Sequence, residues 1–94
     1  MLRLFFRYAR KGYTLRSLGN EYILVPEGLE AADFNRMISM NATAAYLWES
    51  VEGKEFDAET LVLLLLDEYD ITREVAEHDV AALVQNWMEA GIIN

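Results

Sequence analysis

The sequence predicts an α+β fold, in which a three-stranded antiparallel sheet is followed by a bundle of three helices. Two observations indicate this class. In the first 40 residues, short segments alternate apolar with polar residues or are rich in β-branched and aromatic ones, as in strands. From residue 42 onward, apolar residues recur every three or four positions, the spacing of an amphipathic helix. A chain of 94 residues suffices for one domain with a modest core.

The first two predicted strands form a hairpin. Residues 13–18 alternate, residues 22–25 are aromatic and β-branched, and Gly19-Asn20 lies between the two segments. A two-residue connection of this composition is typical of a β-hairpin. Pro26 ends the second strand because proline has no backbone N–H to donate.

Residues 35–40 form the predicted third strand, with Ile38 and Met40 on one face. Such a sheet has an end strand whose outer backbone groups are unpaired.

Capping residues delimit the three predicted helices. Asn41, Asp57 and Thr72 each precede a helical pattern, and their side-chain oxygens can accept a backbone N–H of the first turn. Gly53 and Gly91 lie where the chain leaves a helix and needs a left-handed residue. The three helices share one property, an apolar stripe at helical spacing: Ala44, Leu47, Trp48 and Val51; Ala58, Leu61, Val62, Leu65, Leu66 and Tyr69; and Ala76, Val80, Leu83 and Trp87.

Some apolar residues allow specific expectations about packing. We expect Trp48 and Trp87 to meet in the core between the first and third helices. Leu63 and Leu64 exceed the stripe of the second helix, so that helix is either buried on more than one side or carries an apolar patch for a partner.

Charge is distributed unevenly along the chain. Residues 1–20 hold five of the eight Lys and Arg and no acid, whereas residues 21–94 hold all sixteen Asp and Glu. The acidic body disfavours contact with nucleic-acid phosphates. Residues 1–12 are predicted to be a basic N-terminal appendage. It is either a frayed or strand-forming terminus, whose charges keep it solvated, or a segment that lies on an anionic surface or on an acidic patch of a partner.

Composition also indicates the cellular location and excludes some kinds of metal site and cross-link. The chain has no cysteine, so it has no disulfide framework and no thiolate metal site. No apolar run approaches the ~20 residues of a membrane span, and no signal-peptide pattern precedes the domain. These observations predict a cytoplasmic protein.

Catalytic signals are weak. His78 is the single histidine, and its position predicts an exposed side chain outside the core stripe. Glu74, Glu77 and His78 share a helix face, but this spacing alone is a weak indication of a metal site. No glycine-rich phosphate loop is present. We therefore expect no catalytic residue, no cofactor and no metal.

The junction between the third strand and the first helix resembles the Leu-Asn-x-Thr-Ala-x-x-Ile-Trp-x-x-x-x-Gly core of the PqqD family. Five residues match it as they stand, namely Asn41, Thr43, Ala44, Trp48 and Gly53, while Met40 and Leu47 replace its Leu and Ile. Further similarity follows at Leu61, Leu65, Tyr69-Asp70, Asp79-Val80, Leu83 and Gly91-Ile92. The resemblance covers residues 13–94 and marks them as a PqqD-like peptide-recognition domain.

The resemblance implies a sheet packed on a trihelical bundle of winged-helix type. It also implies a non-catalytic function, as a RiPP recognition element, which captures the leader of a ribosomally made precursor peptide and presents it to a modifying enzyme. The leader adds as a strand to the third strand and lies against the last helix. Main-chain hydrogen bonds then supply affinity and side-chain pockets supply specificity.

Transferred to this sequence, the implied site has two sides. The strand edge is Asn35, Arg36, Met37, Ile38 and Ser39. By helical angle, the facing flank of the last helix is Val75, Asp79, Ala82 and Asn86, and the opposite flank, with Glu77, Val84 and Met88, stays open as an alternative. Asp79 either pairs with a cation of the leader or only solvates the helix.

The implied partners are a precursor leader peptide and a modifying enzyme, for which the radical S-adenosylmethionine class is one candidate. The product is not assumed to be pyrroloquinoline quinone, and a homodimer is left open. Two alternative functions remain at this stage. A winged-helix fold can bind nucleic acid, although the acidic last helix opposes this. The chain can also be an assembly subunit that docks through Leu63, Leu64 and Ile92-Ile93.

Overall fold

The structure is a computed structural model that describes residues 7–27 and 37–94. Its elements in chain order are β1 (Arg7–Tyr8), β2 (Tyr13–Leu18), β3 (Glu21–Pro26), β4 (Ile38–Met40), α1 (Ala42–Val51), β5 (Glu55–Phe56), α2 (Ala58–Glu68) and α3 (Arg73–Ala90). Strands β2, β3 and β4 form an antiparallel sheet in that order, which confirms the predicted α+β class. Strands β1 and β5 form a second, two-stranded sheet that was not predicted.

The register of the main sheet places its apolar residues toward the helices. Gly19-Asn20 forms the predicted two-residue turn, and Gly19 has a φ of 64° that glycine adopts without strain. Leu24 on β3 lies opposite Ile38 on β4 and is fully buried. Because the side-chain period of a strand is two, every second residue of β3 and β4 faces the core.

The predicted helix boundaries are confirmed at their caps. Each N-cap side chain accepts a hydrogen bond from the backbone N–H three residues on, at 2.8 Å for Asn41, 2.9 Å for Asp57 and 3.2 Å for Thr72. Gly53 and Gly91 adopt φ of 73° and 79°, the left-handed conformation that ends a helix. Local chemistry therefore determines where these helices begin and end.

Two tryptophans form the centre of the core. The ring centroids of Trp48 and Trp87 lie 5.4 Å apart in an edge-to-face arrangement, as expected. Trp48 also packs edge-to-face on Tyr13 of β2 at 6.2 Å, and Phe56 packs on Trp87 at 6.4 Å. Trp48 is fully buried. Through these ring contacts it joins the sheet, the first helix and the last helix.

The surplus leucines of α2 take different positions. Leu63 is 53% exposed, whereas Leu64 is half-buried and packs against the core. Ile92 and Ile93 fold back behind α3 and are buried. A docking surface that uses both leucines and both isoleucines is therefore ruled out by the burial of Ile92 and Ile93. No helix of the described segments has the length and hydropathy needed to cross a membrane.

Residues 7–10 belong to the fold, which differs from the expected appendage over residues 1–12. Ala9 is fully buried. Its N–H donates to the carbonyl of Lys54 at 3.1 Å, and its carbonyl accepts from the N–H of Gly53 at 2.8 Å. Backbone pairing with a distant segment thus holds this strand, and the rest of the expectation, residues 1–6 with Leu4-Phe5-Phe6, lies outside the described residues.

The same strand contacts the end of the chain. The N–H of Arg10 donates to the carbonyl of Ile92 at 2.9 Å, and that of Asn94 donates to the carbonyl of Tyr8 at 3.2 Å. The Arg10 guanidinium also donates to Asn94 Oδ1 at 2.8 Å. The segment after α3 is therefore held between β1 and the helices.

We expect Trp48→Ala to lower the free energy of unfolding by ~3–5 kcal/mol, the usual cost of removing an aromatic side chain from a core. Leu63→Ala, at an exposed position of α2, serves as the control and should cost well under half as much. Urea unfolding followed by circular dichroism measures both. Equal losses for the two variants would contradict the central position of Trp48.

Deleting residues 1–11 should destabilise the domain relative to deleting residues 1–6. The longer deletion removes buried Ala9 and four backbone hydrogen bonds to the segments around Lys54 and Ile92. Each such bond contributes about 0.5–1.5 kcal/mol net, so we expect a loss of several kcal/mol. Thermal melts of the two shortened chains give the comparison, and coincident midpoints would show that β1 contributes nothing to stability.

Candidate functional site

A groove of about 470 Å³ runs between β4 and α3. Its floor is formed by apolar side chains from the three helices, namely Ala44, Leu47, Leu65 and Trp87. Ile38, Ser39 and Met40 line it on the side of β4, and Asp79, Ala82, Leu83 and Asn86 line it on the side of α3. Asn41 and Thr43, at the junction of β4 and α1, also line the groove.

The β4 edge beside this groove is open, because no described strand pairs with its outer side. The turn of the β2–β3 hairpin makes Leu18 and Glu21 a hydrogen-bonded pair, and bonded and non-bonded pairs then alternate along an antiparallel ladder. The backbone groups of Tyr22 and Leu24 therefore point toward β4.

The same alternation determines which groups of β4 are free to bind. Ile38 and Met40 lie opposite Leu24 and Tyr22 and direct their N–H and C=O groups to β3. Ser39 lies between them, opposite Ile23, so its N–H and C=O point outward from the sheet. One outward donor and one outward acceptor are thus presented at a defined position of the edge.

The junction between β4 and α1 forms one part of the groove wall. Met40, Ala44 and Leu47 are buried, and Thr43 beside them is half-buried with its hydroxyl 3.3 Å from the Tyr69 hydroxyl. Trp48 lies under this layer and packs on Trp87, which is itself part of the floor. The residues that carry the family resemblance therefore both shape the groove and support it.

The structure brings together most of the site residues expected on α3. Asp79, Ala82 and Asn86 are exposed and line the groove, whereas Val75 is 45% exposed and lies outside the lining. The alternative flank does not reach it, since Glu77, Val84 and Met88 are absent from the lining. Glu77 instead forms an ion pair with Arg73, with a distance of 3.0 Å between Arg73 Nη1 and Glu77 Oε2.

The strand side of the expected site is only partly described. Ile38 and Ser39 line the groove, and Met37 is half-buried immediately before β4 without lining it. The remaining expected residues, Asn35 and Arg36, lie outside the described residues.

Two apolar residues of α3 line the groove although the sequence analysis did not assign them to the site. Leu83 and Trp87 were placed in the core stripe of α3, but each also borders the groove. The signal that could have identified them is their position, since each follows directly after Ala82 or Asn86 on the expected flank.

Asp79 is the one ionisable side chain among the residues that line the groove. His78, Glu74 and Glu77 lie exposed on α3 outside it. Within residues 7–27 and 37–94, no group of three His, Cys, Asp or Glu side chains is arranged to hold a metal ion. The groove thus offers apolar surface, hydrogen-bonding groups and one carboxylate.

Comparison with known proteins gives one family and one solved structure. The sequence model of the family described as Coenzyme PQQ synthesis protein D (PqqD) matches residues 21–93. The chain is similar in fold to TbiB1, whose structure contains the TbiA(beta) leader peptide, with a TM-score of 0.67 and 16% sequence identity. The similarity covers 93% of this chain and 94% of that chain. No curated protein sequence matches the chain.

Proline substitutions in β4 should show, by their effect on stability, which N–H groups face β3 and which face outward. Ile38→Pro removes an N–H that faces β3. It should lower the free energy of unfolding by about 1–3 kcal/mol, because the backbone carbonyl of buried Leu24 loses its donor. Ser39→Pro removes an outward N–H and should be tolerated better, as prolines are on edge strands. Urea unfolding of both variants provides the measurement, and a larger loss for Ser39→Pro would overturn the assigned ladder.

Proposed function

Because the chain belongs to the PqqD family, we propose that it captures the leader segment of a ribosomally made precursor peptide and presents it to a modifying enzyme. The observation that carries this proposal is the open edge of β4 directly beside an apolar groove. An edge strand gives an extended peptide a row of main-chain partners, and an adjacent groove gives it side-chain pockets.

The leader binds as an additional strand on β4. Its backbone exchanges hydrogen bonds with the N–H and C=O of Ser39, the outward pair of this edge. Alternate side chains of the leader then face the groove floor between β4 and α3, and the others face solvent. The fold that the chain shares with TbiB1, a protein solved with a leader peptide, supports this arrangement.

The role is binding without catalysis. The lining of the groove combines apolar side chains with Ser39, Asn41, Thr43 and Asn86, and a single carboxylate has no partner acid or base beside it in that lining. Chemistry on the precursor is then performed by a separate modifying enzyme, for which the radical S-adenosylmethionine class is one candidate.

Nucleic acid is a poor ligand for this surface. Helix α3 carries Glu74, Glu77, Asp79 and Glu89 against one Arg, so its field repels phosphates. Peptide capture also uses the open strand edge, which duplex recognition by a helix leaves without a role.

Peptide selection and amide shifts test strand addition. Ten-residue peptides selected from a displayed library are titrated into ¹⁵N-labelled protein. We expect the amide resonances of Ile38 to Met40 and of the groove side of α3 to move, while those of the β2 edge stay unchanged. Duplex DNA at ~0.15 M salt should move none of them.

A pair of serine variants makes the test specific. Ser39→Pro should abolish binding because it removes the outward donor of β4. Ser17→Pro makes the same change at an outward position of β2, the opposite edge of the same sheet, and should bind as the wild type does. Retained binding by a folded Ser39→Pro protein, or equal loss in both variants, would refute strand addition on β4.

A further inference from the structure

Among the residues that the structure describes, the groove lining carries one charge, and no ion pair compensates it. Asp79 is its single ionisable lining residue, it is exposed, and no cation pairs with it among the described residues. A peptide strand bound in the groove passes this carboxylate at a fixed position along the axis of α3. A cationic side chain at that position would gain an ion pair without having to displace an existing partner.

The single arginine of α3 is engaged elsewhere. Arg73 donates hydrogen bonds to Glu77 on its own helix and to Glu59 on α2. The hydrogen bonds from Arg73 to Glu59 hold the pKa of Glu59 below its usual value, because the guanidinium stabilises the charged carboxylate. The Arg73 guanidinium therefore lies on the side of α3 that faces α2, whereas Asp79 places a negative charge on the groove side.

An apolar surface adjoins this charge one helical turn further along. Leu83 is half-buried and lines the groove, with buried Trp87 beyond it and the small side chain of Ala82 beside it. This part of the groove suits a large apolar side chain of the bound peptide, because burying it removes apolar area of both partners from water.

The spacing of the two features matches a strand. Asp79 and Leu83 are four residues apart, which corresponds to about 6 Å along a helix. Two residues of an extended strand span about 6.6 Å, and residues two apart share a face. A peptide strand running along the groove can therefore present a cation to Asp79 and an apolar side chain to Leu83 from its groove-facing side.

We propose that Asp79 is a specificity-determining residue, which selects leader segments with Lys or Arg two positions from a large apolar residue. This inference rests on the proposed function, since it assigns a chemical class to the peptide that the groove takes. The ion pair lies at an exposed site, so its contribution is a selective one, roughly twofold to fivefold in affinity, on top of the main-chain bonds.

Library selection against variants tests the inference directly. Displayed ten-residue peptides are selected in parallel on the wild type, Asp79→Asn, Asp79→Lys and Asp67→Asn, the last an acid of α2 outside the groove lining. The wild type and Asp67→Asn should enrich Lys or Arg two positions from Leu, Ile, Phe or Trp. Asp79→Asn should keep the apolar preference and lose the basic one, and Asp79→Lys should enrich Asp or Glu instead.

A double-mutant cycle on one selected peptide measures the pair. Replacing its enriched Lys or Arg by Gln should weaken binding to the wild type roughly twofold to fivefold and leave binding to Asp79→Asn unchanged. The difference should shrink at 1 M salt, where charges are strongly screened. Equal weakening on both proteins would overturn the role of Asp79.

The outcomes separate this inference from the function beneath it. If the selected peptides lose binding on Ser39→Pro but show no basic preference, or the same preference on Asp79→Asn, peptide capture stands and the assignment of Asp79 falls. If the selected peptides bind Ser39→Pro and wild type equally, strand addition itself is refuted.

Discussion

The edge-to-face contact between Trp48 and Trp87 is the interaction on which the rest of this structure depends. Trp48 lies on α1 and also packs on Tyr13 of the sheet, while Trp87 belongs to α3 and forms part of the groove floor. The pair thus joins the sheet and α1 to α3, the helix that lines one side of the groove. The indole N–H of Trp48 has no acceptor among the described residues, so the side chain contributes through its size and shape.

The groove lies between a short strand and a long helix. Strand β4 has three residues and α3 has 18, and each lines one side of the groove. A short edge strand limits uncontrolled pairing with other chains, since it presents few free backbone groups. In the proposed complex β4 offers few main-chain groups, so the side chains of the groove supply the selectivity.

A second feature of the domain is the backbone pairing between segments that are distant in sequence. Strand β1 pairs with β5, and Ala9 bridges to Glu52 and Ile93 outside the named strands. This arrangement places the first described residues and the last ones side by side, away from the lining of the groove. The basic residues Arg7 and Arg10 donate to Asn94 there, so part of the expected basic appendage over residues 1–12 contributes to the fold.

The sequence alone determined the elements whose signals are local. A cap oxygen, a left-handed glycine, a two-residue turn and an apolar stripe act over a few neighbouring residues, and so the helices and the hairpin were predictable. The contact between Trp48 and Trp87 is not local, but it was expected because each lies on the apolar stripe of its helix. Tertiary structure alone decided the pairing of β1 with β5, because a two-residue strand has no periodicity and gains its stability from distant partners. It also decided that Val75 lies outside the groove while Leu83 borders it, since the depth of a helix face depends on what packs against it.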